Sequence, residues 1–534
     1  MTFHPSPGLE IGPVSDVNST DIRAAIALGC RPMQCCFDAD HDHVPLFYSR
    51  LWPKADLRFD EWGSDAHIPG RHLSALLHAE AVIGVPIEKQ ALAHHTAAAI
   101  RSYSGAVMLP LNCCEIGGPP VNFNPHNVRE GFQALHALLR YRGSQQAAEL
   151  ARQSIRTILQ LWDPARGWDG GHFADLGIHF RPSHSFVQGL ARAIGPLVKL
   201  YRAGIEPALE LAMMLKEKLV RGFFLEEGRY DPERCFTHVH SVTCVLSSLA
   251  QLAELLVDGA LMKRVEAFYD NGLWELRDQL GWSMEVFGQE HSDHGETNNT
   301  GDILETALIL GRWGRIDGLH DAERILRGHL LPSQLRDVSF VTDPPNPDRL
   351  DRLHDLADRH LGAWGMPAPY GHLSAGRGRE GGLCFNLDMV GGVVDSLCAA
   401  YEQVTSHEEG GHHVNLLFDH ETEAICVESP YTHDALRVHL KKPGPLWVRM
   451  PPWLAPEDVT FEGTDAAPAW TNGGIVLADP PLDRPLTIRF PLKVQQLTVS
   501  QKVHIHPIRV SLKGDQVTAM DHFGMPLTFF PPFP

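Results

Sequence analysis

The sequence predicts an α+β multidomain chain in which an (α/α)6-type helical toroid is followed by an antiparallel β-sandwich. Three observations carry this. From about residue 71 to 404, apolar residues recur at helical spacing in segment after segment, mostly in adjacent pairs, with no strand alternating between them. After about residue 411 the period changes to two, in the short runs VNLLFD, LRVHL, LWVRMPPW, GIVLAD and LTIRFPL, separated by Pro, Gly and Asp. No fixed-length repeat recurs, which places a toroid ahead of a helical solenoid.

Taken in order, residues 1–70 are rich in Pro, Asp and His and lack a helical period, so an N-terminal extension of short strands with a lid-like connection is expected there. Residues 71–410 form the barrel. Helices are expected near 72–84, 88–103, 127–142, 146–161, 185–202, 206–221, 239–257, 260–277, 300–313, 320–331 and 387–404. Residues 335–384 read as one long irregular stretch, and loops of that length are functional or disordered. It contains Trp364, Tyr370 and His372 with Arg359, Arg377 and Arg379: aromatics that can stack on sugar faces and guanidinium groups that can hold a carboxylate. Residues 411–534 form the sandwich and a tail whose Pro/Phe end is expected to pack back on the body. In LTIRFPL, Leu486, Ile488 and Phe490 share one face.

Formal charge is −19 over 534 residues, with 46 basic and 65 acidic groups, which argues against non-specific nucleic-acid or anionic-membrane binding. No apolar run approaches the ~20 residues of a membrane helix. The opening MTFHPSPGLEIGPVSD has no basic start followed by an apolar core, so a cytoplasmic location is expected. The 10 cysteines include the pairs Cys35-Cys36 and Cys113-Cys114 but no CxxC, which reads as free thiols.

The densest group of titratable residues lies between Gly281 and Gly314. Trp282, Met284 and Val286 alternate with Ser283, Glu285 and Phe287, predicting an extended piece. A polar loop follows with Glu290, His291, Asp293, His294, Glu296, Asn298 and Asn299, and then a helix with Asn299 or Thr300 as its N-cap. A helix N-terminus favours negative charge, so Glu296 is expected to be ionised. Other polar loops also sit just ahead of helices: NFNPHNVREG at 122–131, RPSHS at 181–185 and CFTHVHS at 235–241. In a toroid one set of helix ends converges on a central cavity. His126, Arg129, His184, His238 and His240 are therefore expected near Glu296. Each histidine taken alone reads equally as a cap or a satisfied buried group.

The segments VNLLFD, LWVRMPPWL and LTIRFPL resemble the sandwich region of glycoside hydrolase family 127 and its β-L-arabinofuranosidase-like relatives. Glu296-Thr297-Asn298 resembles that family's Glu-Thr-Cys segment, and GLCFNLDMVGGVVDSLCAAYEQV resembles its segment with a Cys-Cys pair and a helix. The likeness covers roughly residues 230–495. It implies a zinc ion held by one Glu and three Cys, one Cys being the nucleophile. Here Glu296 matches the Glu, but Asn298 stands where a Cys is expected and only Cys384 lies near the expected pair. A thiolate zinc site cannot be completed from these residues, so no cofactor is expected.

Glycoside hydrolysis generally needs two carboxyl groups. The candidates are Glu285, Glu290, Glu296 and Asp388. Glu285, partly buried beside Trp282 and Phe287, is expected as the general acid, and Glu296 as its charged partner. Asp388 is a second candidate for the charged role, or a helix cap. Cys384 reads as a buried thiol. The substrate pocket is expected to use His238, His240, His126, Asn298, Trp282, Arg359, Tyr370 and His372. The sequence therefore predicts a glycosidase that removes terminal sugars from oligosaccharides or glycosides. Two alternatives remain: a lyase or uronidase acting on uronic acids, using His238, His240, Asn298, Arg359 and Tyr370, and an inactive carbohydrate-binding relative. The expected partner is the oligosaccharide or glycoside substrate, with no nucleic acid and no membrane, and with a homodimer left open.

Overall fold

Residues 12–288, 293–374, 382–408, 410–499 and 502–534 are described by a computed structural model. Its helices are α1 (Ile22–Gln34), α2 (Ile68–Ile83), α3 (Lys89–Ser102), α4 (Val128–Arg142), α5 (Gln145–Leu161), α6 (Gly170–Asp175), α7 (Ile194–Arg202), α8 (Pro207–Gly222), α9 (Pro232–Cys235), α10 (Val239–Leu256), α11 (Gly259–Asp270), α12 (Thr297–Arg312), α13 (Ile316–Ile325), α14 (Leu356–His360) and α15 (Asp388–Glu402). Six of them close a ring: α2 packs on α4, α4 on α7, α7 on α10, α10 on α12, α12 on α15, and α15 returns to α2. An outer layer of α1, α3, α5, α8, α11 and α13 packs against this ring.

The sequence of each helix fits its layer. Inner helix α10, VHSVTCVLSSLAQLAELL, is apolar on nearly every face, as a helix walled in on all sides must be. By length and composition it would suit a membrane, but 83% of it is buried inside the toroid. Outer helix α5 instead buries one stripe, Ala147, Ala148, Ala151, Ser154, Ile155 and Ile158. Glycine permits the closest inner contacts. A Cβ at Gly70 would lie 1.9 Å from the Glu130 carbonyl oxygen of α4, and one at Gly391 would lie 2.8 Å from the Arg71 backbone of α2.

The eleven helices expected from periodicity are the ring and its outer layer without α1. That helix lies inside the stretch expected to hold only short strands. Gly29 and Pro32 break its period, but both fit: a Cβ at Gly29 would lie 2.6 Å from Trp364 and Val394, and Pro32 falls in the last turn. Asp21 caps it by accepting from the Ala24 N–H at 2.8 Å. Strands do follow it. Tyr48–Trp52 pairs with Asp56–Arg58 and with Leu383–Asn386, tying this region to the strand that leads into α15.

Beyond α15 two five-stranded sheets face each other. One contains Thr405–Glu408, Gly411–Val414, Leu446–Arg449, Gly474–Leu477 and Ala469–Thr471; the other contains His420–Glu421, Ile425–Glu428, Leu436–Leu440, Leu486–Arg489 and Thr460–Glu462. Val448 and Ile475 from one sheet and Val438 and Ile488 from the other share a single apolar core. The pairings are antiparallel except Gly411–Val414 with Leu446–Arg449, which is parallel. The tail adds a three-stranded sheet, and its Phe529 and Phe530 are buried with Ala368 and Tyr370 of the long connection.

Toroid and sandwich are joined by buried charge. Glu323 of α13 accepts from Arg327 Nε at 2.9 Å and from the Leu417 N–H at 3.0 Å, and pairs with Arg449 of the sandwich. Arg327 is itself held between the rings of Phe418 and Tyr431, 3.7 Å from each centroid. Glu323→Gln removes the carboxylate these two buried guanidinium groups share. It should lower unfolding free energy by about 3–5 kcal/mol in chemical denaturation, and an unchanged midpoint would refute this account of the joint.

Candidate active site

The N-terminal ends of five of the six inner helices, α2, α4, α10, α12 and α15, meet at one mouth. A cavity of about 170 Å³ opens there. His67, ahead of α2, lines it, with Asn124, His126 and Asn127 before α4, His238 and His240 at the start of α10, Glu285, Glu296 before α12, and Asn386 and Asp388 at the start of α15.

Glu296 is the N-cap residue of α12, with extended backbone, but its side chain makes no capping bond and faces the cavity. The helix begins at Thr297, three residues before the expected start. Asn299 and Thr300 do not cap it: Asn299 Nδ2 donates to the Met284 carbonyl at 2.7 Å and Thr300 Oγ1 to the Gly281 carbonyl at 2.8 Å. They fasten the helix to the extended piece 282–287, which is bridged at Ser283, Met284 and Val286.

Four carboxyl groups line the cavity, Asp60, Glu285, Glu296 and Asp388; Asp60 accepts from the Trp62 N–H at 2.9 Å and is raised by burial. Asn298 Nδ2 donates to Glu296 Oε1 at 3.2 Å and to Asp388 Oδ2 at 3.3 Å, so one amide spans both. His67 Nε2 lies 3.1 Å from the same Asp388 oxygen. Glu285 Oε2 lies 2.8 Å from His294 Nδ1. Burial drives the Glu296 carboxyl well above the ordinary range, and Glu285 and Asp388 add to the rise. Asp388 goes the other way: burial alone would raise it, but His67 and Arg71 outweigh that and hold it below the ordinary value. The expectation that Glu296 is kept ionised by its helix is thus reversed. A helix terminus contributes at most ~2 kcal/mol, whereas burial beside two carboxylates acts more strongly on the charged form.

Imidazoles form the remaining wall. His67 and His126 stack at 5.6 Å, His126 and His238 lie 5.8 Å apart, and His238 and His240 lie 5.9 Å apart. Burial lowers His238 to about 4 and takes His126 and His240 well below 6.5, so all three are neutral near pH 7. Their tautomers follow from their partners. His126 Nδ1 donates to the Gln188 carbonyl at 2.8 Å, leaving Nε2 as an acceptor. Arg71 can only donate, so His240 Nε2 accepts from it at 3.0 Å and the proton sits on Nδ1, which faces Glu296 Oε1 at 3.4 Å.

Several expected pocket residues lie elsewhere. Trp282 is fully buried, with Nε1 donating to the Pro367 carbonyl at 2.8 Å. Tyr370 and His372 are buried against the tail, near Phe523 and Phe529. Arg359 donates to the Cys35 carbonyl at 2.9 Å and to Asp351, fastening the long connection to the end of α1. These four hold the structure together because apolar burial, not solvent contact, drew the aromatics of this connection inward. Asn298 supports the carboxylates from within rather than lining the cavity, Arg129 lies behind it against Asp302, and His184 is exposed and stacked on Phe236. Glu290, His291, Arg377 and Arg379 fall outside the described residues. Sequence reasoning missed His67, Trp62 and Asn386. EWGSDAHIPG at 61–70 has the same polar-residue-before-helix signature used at the other mouths, with Pro69 in the first turn, but it lay in the stretch read as an extension.

The thiolate zinc set implied by the family resemblance does not assemble. Among the described residues no cysteine lines the cavity. Cys384 sits in the strand Leu383–Asn386 opposite Arg50, and Asn298 turns an amide donor toward the carboxylates. His238, His240 and Glu296 do bring possible donor atoms within 4.8 Å of one another. However, both His240 nitrogens are already committed, one accepting from Arg71 and the other turning its proton to Glu296.

A closed ring of six inner helices, a second layer of six, and a two-sheet sandwich define the toroid-plus-sandwich class of fold. The chain is similar, at the level of fold, to a GH127 beta-arabinofuranosidase (TM-score 0.59, 13% identity, covering 95% of this chain and 85% of that one). It is similar in the same sense to a GH127 beta-L-arabinofuranosidase from Geobacillus stearothermophilus T6 (0.53, 13%, 93% and 80%) and to a protein described as a glycoside hydrolase (0.53, 13%, 84% and 76%). No family model and no curated protein sequence matches the chain. The expected family-127-like scaffold is therefore the observed one.

Because the Glu285 charge is one of the influences raising Glu296, Glu285→Gln should lower the Glu296 pKa. Carboxyl-region difference infrared titration of the two proteins checks this, and an unmoved or raised Glu296 titration would contradict the geometry.

Proposed function

We propose that the protein is a glycoside hydrolase that removes a terminal sugar from an oligosaccharide or glycoside, with Glu296 as general acid and Asp388 as the charged partner. The observation that carries this reading is the single Asn298 amide spanning two carboxyl groups that their surroundings push in opposite directions. The raised group can hold a proton for the leaving oxygen, and the lowered one is free to act on the anomeric carbon. His126 Nε2 offers an acceptor to sugar hydroxyls, and Trp62 and Phe47 at the rim offer aromatic faces. The cavity is smaller than the ~300–1,000 Å³ pockets of drug-sized ligands, which suits one sugar unit at the end of a chain. The assignment differs from the sequence expectation in giving the acid role to Glu296 and leaving Glu285 to tune it.

With hydrogen bonds of 3.2 and 3.3 Å to one nitrogen, the two carboxyl oxygens lie at most 6.5 Å apart. That favours the ~5–5.5 Å spacing of retaining enzymes over the wider ~6.5–9.5 Å that seats a water between the groups. Elimination from a uronide finds less support. Among the described residues no arginine lines the cavity, and Arg359 and Tyr370, two of the groups it would need, are committed elsewhere.

Three outcomes are expected on a panel of chromogenic glycosides. Glu296→Gln and Asp388→Asn should each lower kcat at least about a hundredfold with folding retained by circular dichroism, and activity within a few fold of wild type would end the proposal. The pH profile of kcat/KM should rise as Asp388 ionises, below the usual carboxylate range, and fall as Glu296 loses its proton, well above 4.5; a profile with those limbs exchanged would reverse the roles. Proton NMR of the first-formed sugar should show retained anomeric configuration.

A further inference from the structure

The adjacent thiols Cys35-Cys36 take no part in the cavity, yet Cys36 is not placed like an ordinary core cysteine. It closes α1 against α2 and α3, where His72 and His95 face it. Cys36 and both imidazoles are at most 1% exposed. Cys36 Sγ lies 3.5 Å from His72 Nδ1 and 3.9 Å from His95 Nε2, and the two ring nitrogens lie 3.3 Å apart. The Met33 carbonyl oxygen enters the same space, 3.5 Å from the sulfur and 2.8 Å from His95 Nε2.

These lengths can be set against a coordination polyhedron. Zinc bonds of ~2.3 Å to sulfur and ~2.0–2.1 Å to nitrogen at tetrahedral angles give N–N edges of about 3.4 Å and S–N edges of about 3.6 Å. The observed 3.3, 3.5 and 3.9 Å edges are close to these. The edge from His95 to Met33 is shorter because an N–H···O hydrogen bond spans it now. The ligand chemistry also fits. His72 Nε2 donates to the Leu387 carbonyl at 2.9 Å, which fixes the tautomer that leaves Nδ1 bare toward the cluster. His95 Nδ1 has no hydrogen-bond partner, and the groups that His95 Nε2 meets, Met33, His72 and Cys36, all lie inside the donor group. Elsewhere this junction is apolar, and three polar side chains buried there carry a desolvation penalty that one ion would offset.

We propose that Cys36, His72, His95 and the Met33 carbonyl form a buried tetrahedral site for one zinc-class divalent cation, separate from the substrate cavity. On binding, Cys36 loses its thiol proton to solvent. His95 keeps one proton by carrying it on Nδ1 in place of Nε2, so one proton is released per ion. The ion clamps α1 to α2 and α3. Through His72 and Leu387 it also steadies the residue preceding Asp388.

The test uses untagged full-length protein purified without chelator. Elemental analysis should find about one zinc per chain. Stripped protein given Co²⁺ should show visible d–d bands of a tetrahedral site and the near-ultraviolet charge-transfer band of a single thiolate. Cys36→Ser should lose that band, His95→Gln should lose most of the metal, and Glu296→Gln should retain both. Zn²⁺ added to the stripped wild type should raise its thermal midpoint by a few degrees and leave that of Cys36→Ser unmoved. The proposal falls if the wild type takes up neither ion, if cobalt binds without a thiolate band, or if metal content follows Glu296 rather than Cys36. If Cys36→Ser fails to fold, His95→Gln and the spectrum of the wild type decide alone.

Discussion

Behind the cavity the Glu130 carboxylate sits in the middle of the ring with no exposure, and much of the geometry at the mouth follows from it. Burial would raise this group, but Arg192, His67, Arg71 and Arg129 outweigh burial and hold it ionised far below the usual range. Arg192 donates to it at 2.9 Å, and Arg71 Nε lies 3.5 Å away. The remainder of the Arg71 fork reaches His240, fixes that ring's tautomer and so turns a proton toward Glu296. One buried acid thus gathers residues from α2, α4 and the approach to α7, and sets which faces of the imidazole wall are donors. A charge this deep is tolerated only beside opposite charge, which makes the cluster a demanding one to alter in part.

The resemblance to family 127 holds for the fold and stops at the thiols it implies. The scaffold is shared, but the thiols that the resemblance implies around a zinc ion are missing, and an amide and an aspartate occupy the corresponding stretch of chain. Asn298 fits there because Gly392 of α15 has no side chain; a Cβ at that position would lie 2.0 Å from Asn298 Oδ1. That close approach seats the hydrogen-bond bridge between the Glu296 and Asp388 carboxyl groups. The architecture leaves the mouth of the toroid in place and allows its chemistry to be rewritten by a few side chains.

Periodicity made most of the ring legible. Inner helices bury all faces and outer helices one stripe, and both patterns survive in a single sequence because apolar burial is local in register. It failed at α1, where Gly29 and Pro32 disturb the period for reasons that only the contact with Trp364 and α15 explains. The convergence of His126, His238 and His240 with Glu296 was legible because each precedes or opens an inner helix; Arg129 and His184 were expected there on the same signature, but one lies behind the cavity against Asp302 and the other is exposed on Phe236. Of the misplaced residues, Arg359, Tyr370 and His372 lie in the long connection without periodicity, where residue type says what a side chain can touch but not which side it faces; Trp282 lies in the alternating piece 282–287, where the period sets two faces apart but not which of them meets the cavity.

The sequence by itself determined the order of architectures, the positions of eleven of the twelve helices in the ring and its outer layer, and the fact that ionisable groups cluster at helix beginnings. These are properties of short windows, fixed by side-chain period and capping preference. Which carboxyl keeps its proton was decided only by the tertiary structure. The charge state of Glu296 depends on Glu285, Asp388, Arg71 and the depth of burial, and that of Asp388 on His67, more than three hundred positions away along the chain. Electrostatic energy depends on distance and surrounding dielectric, and neither exists until the ring has closed.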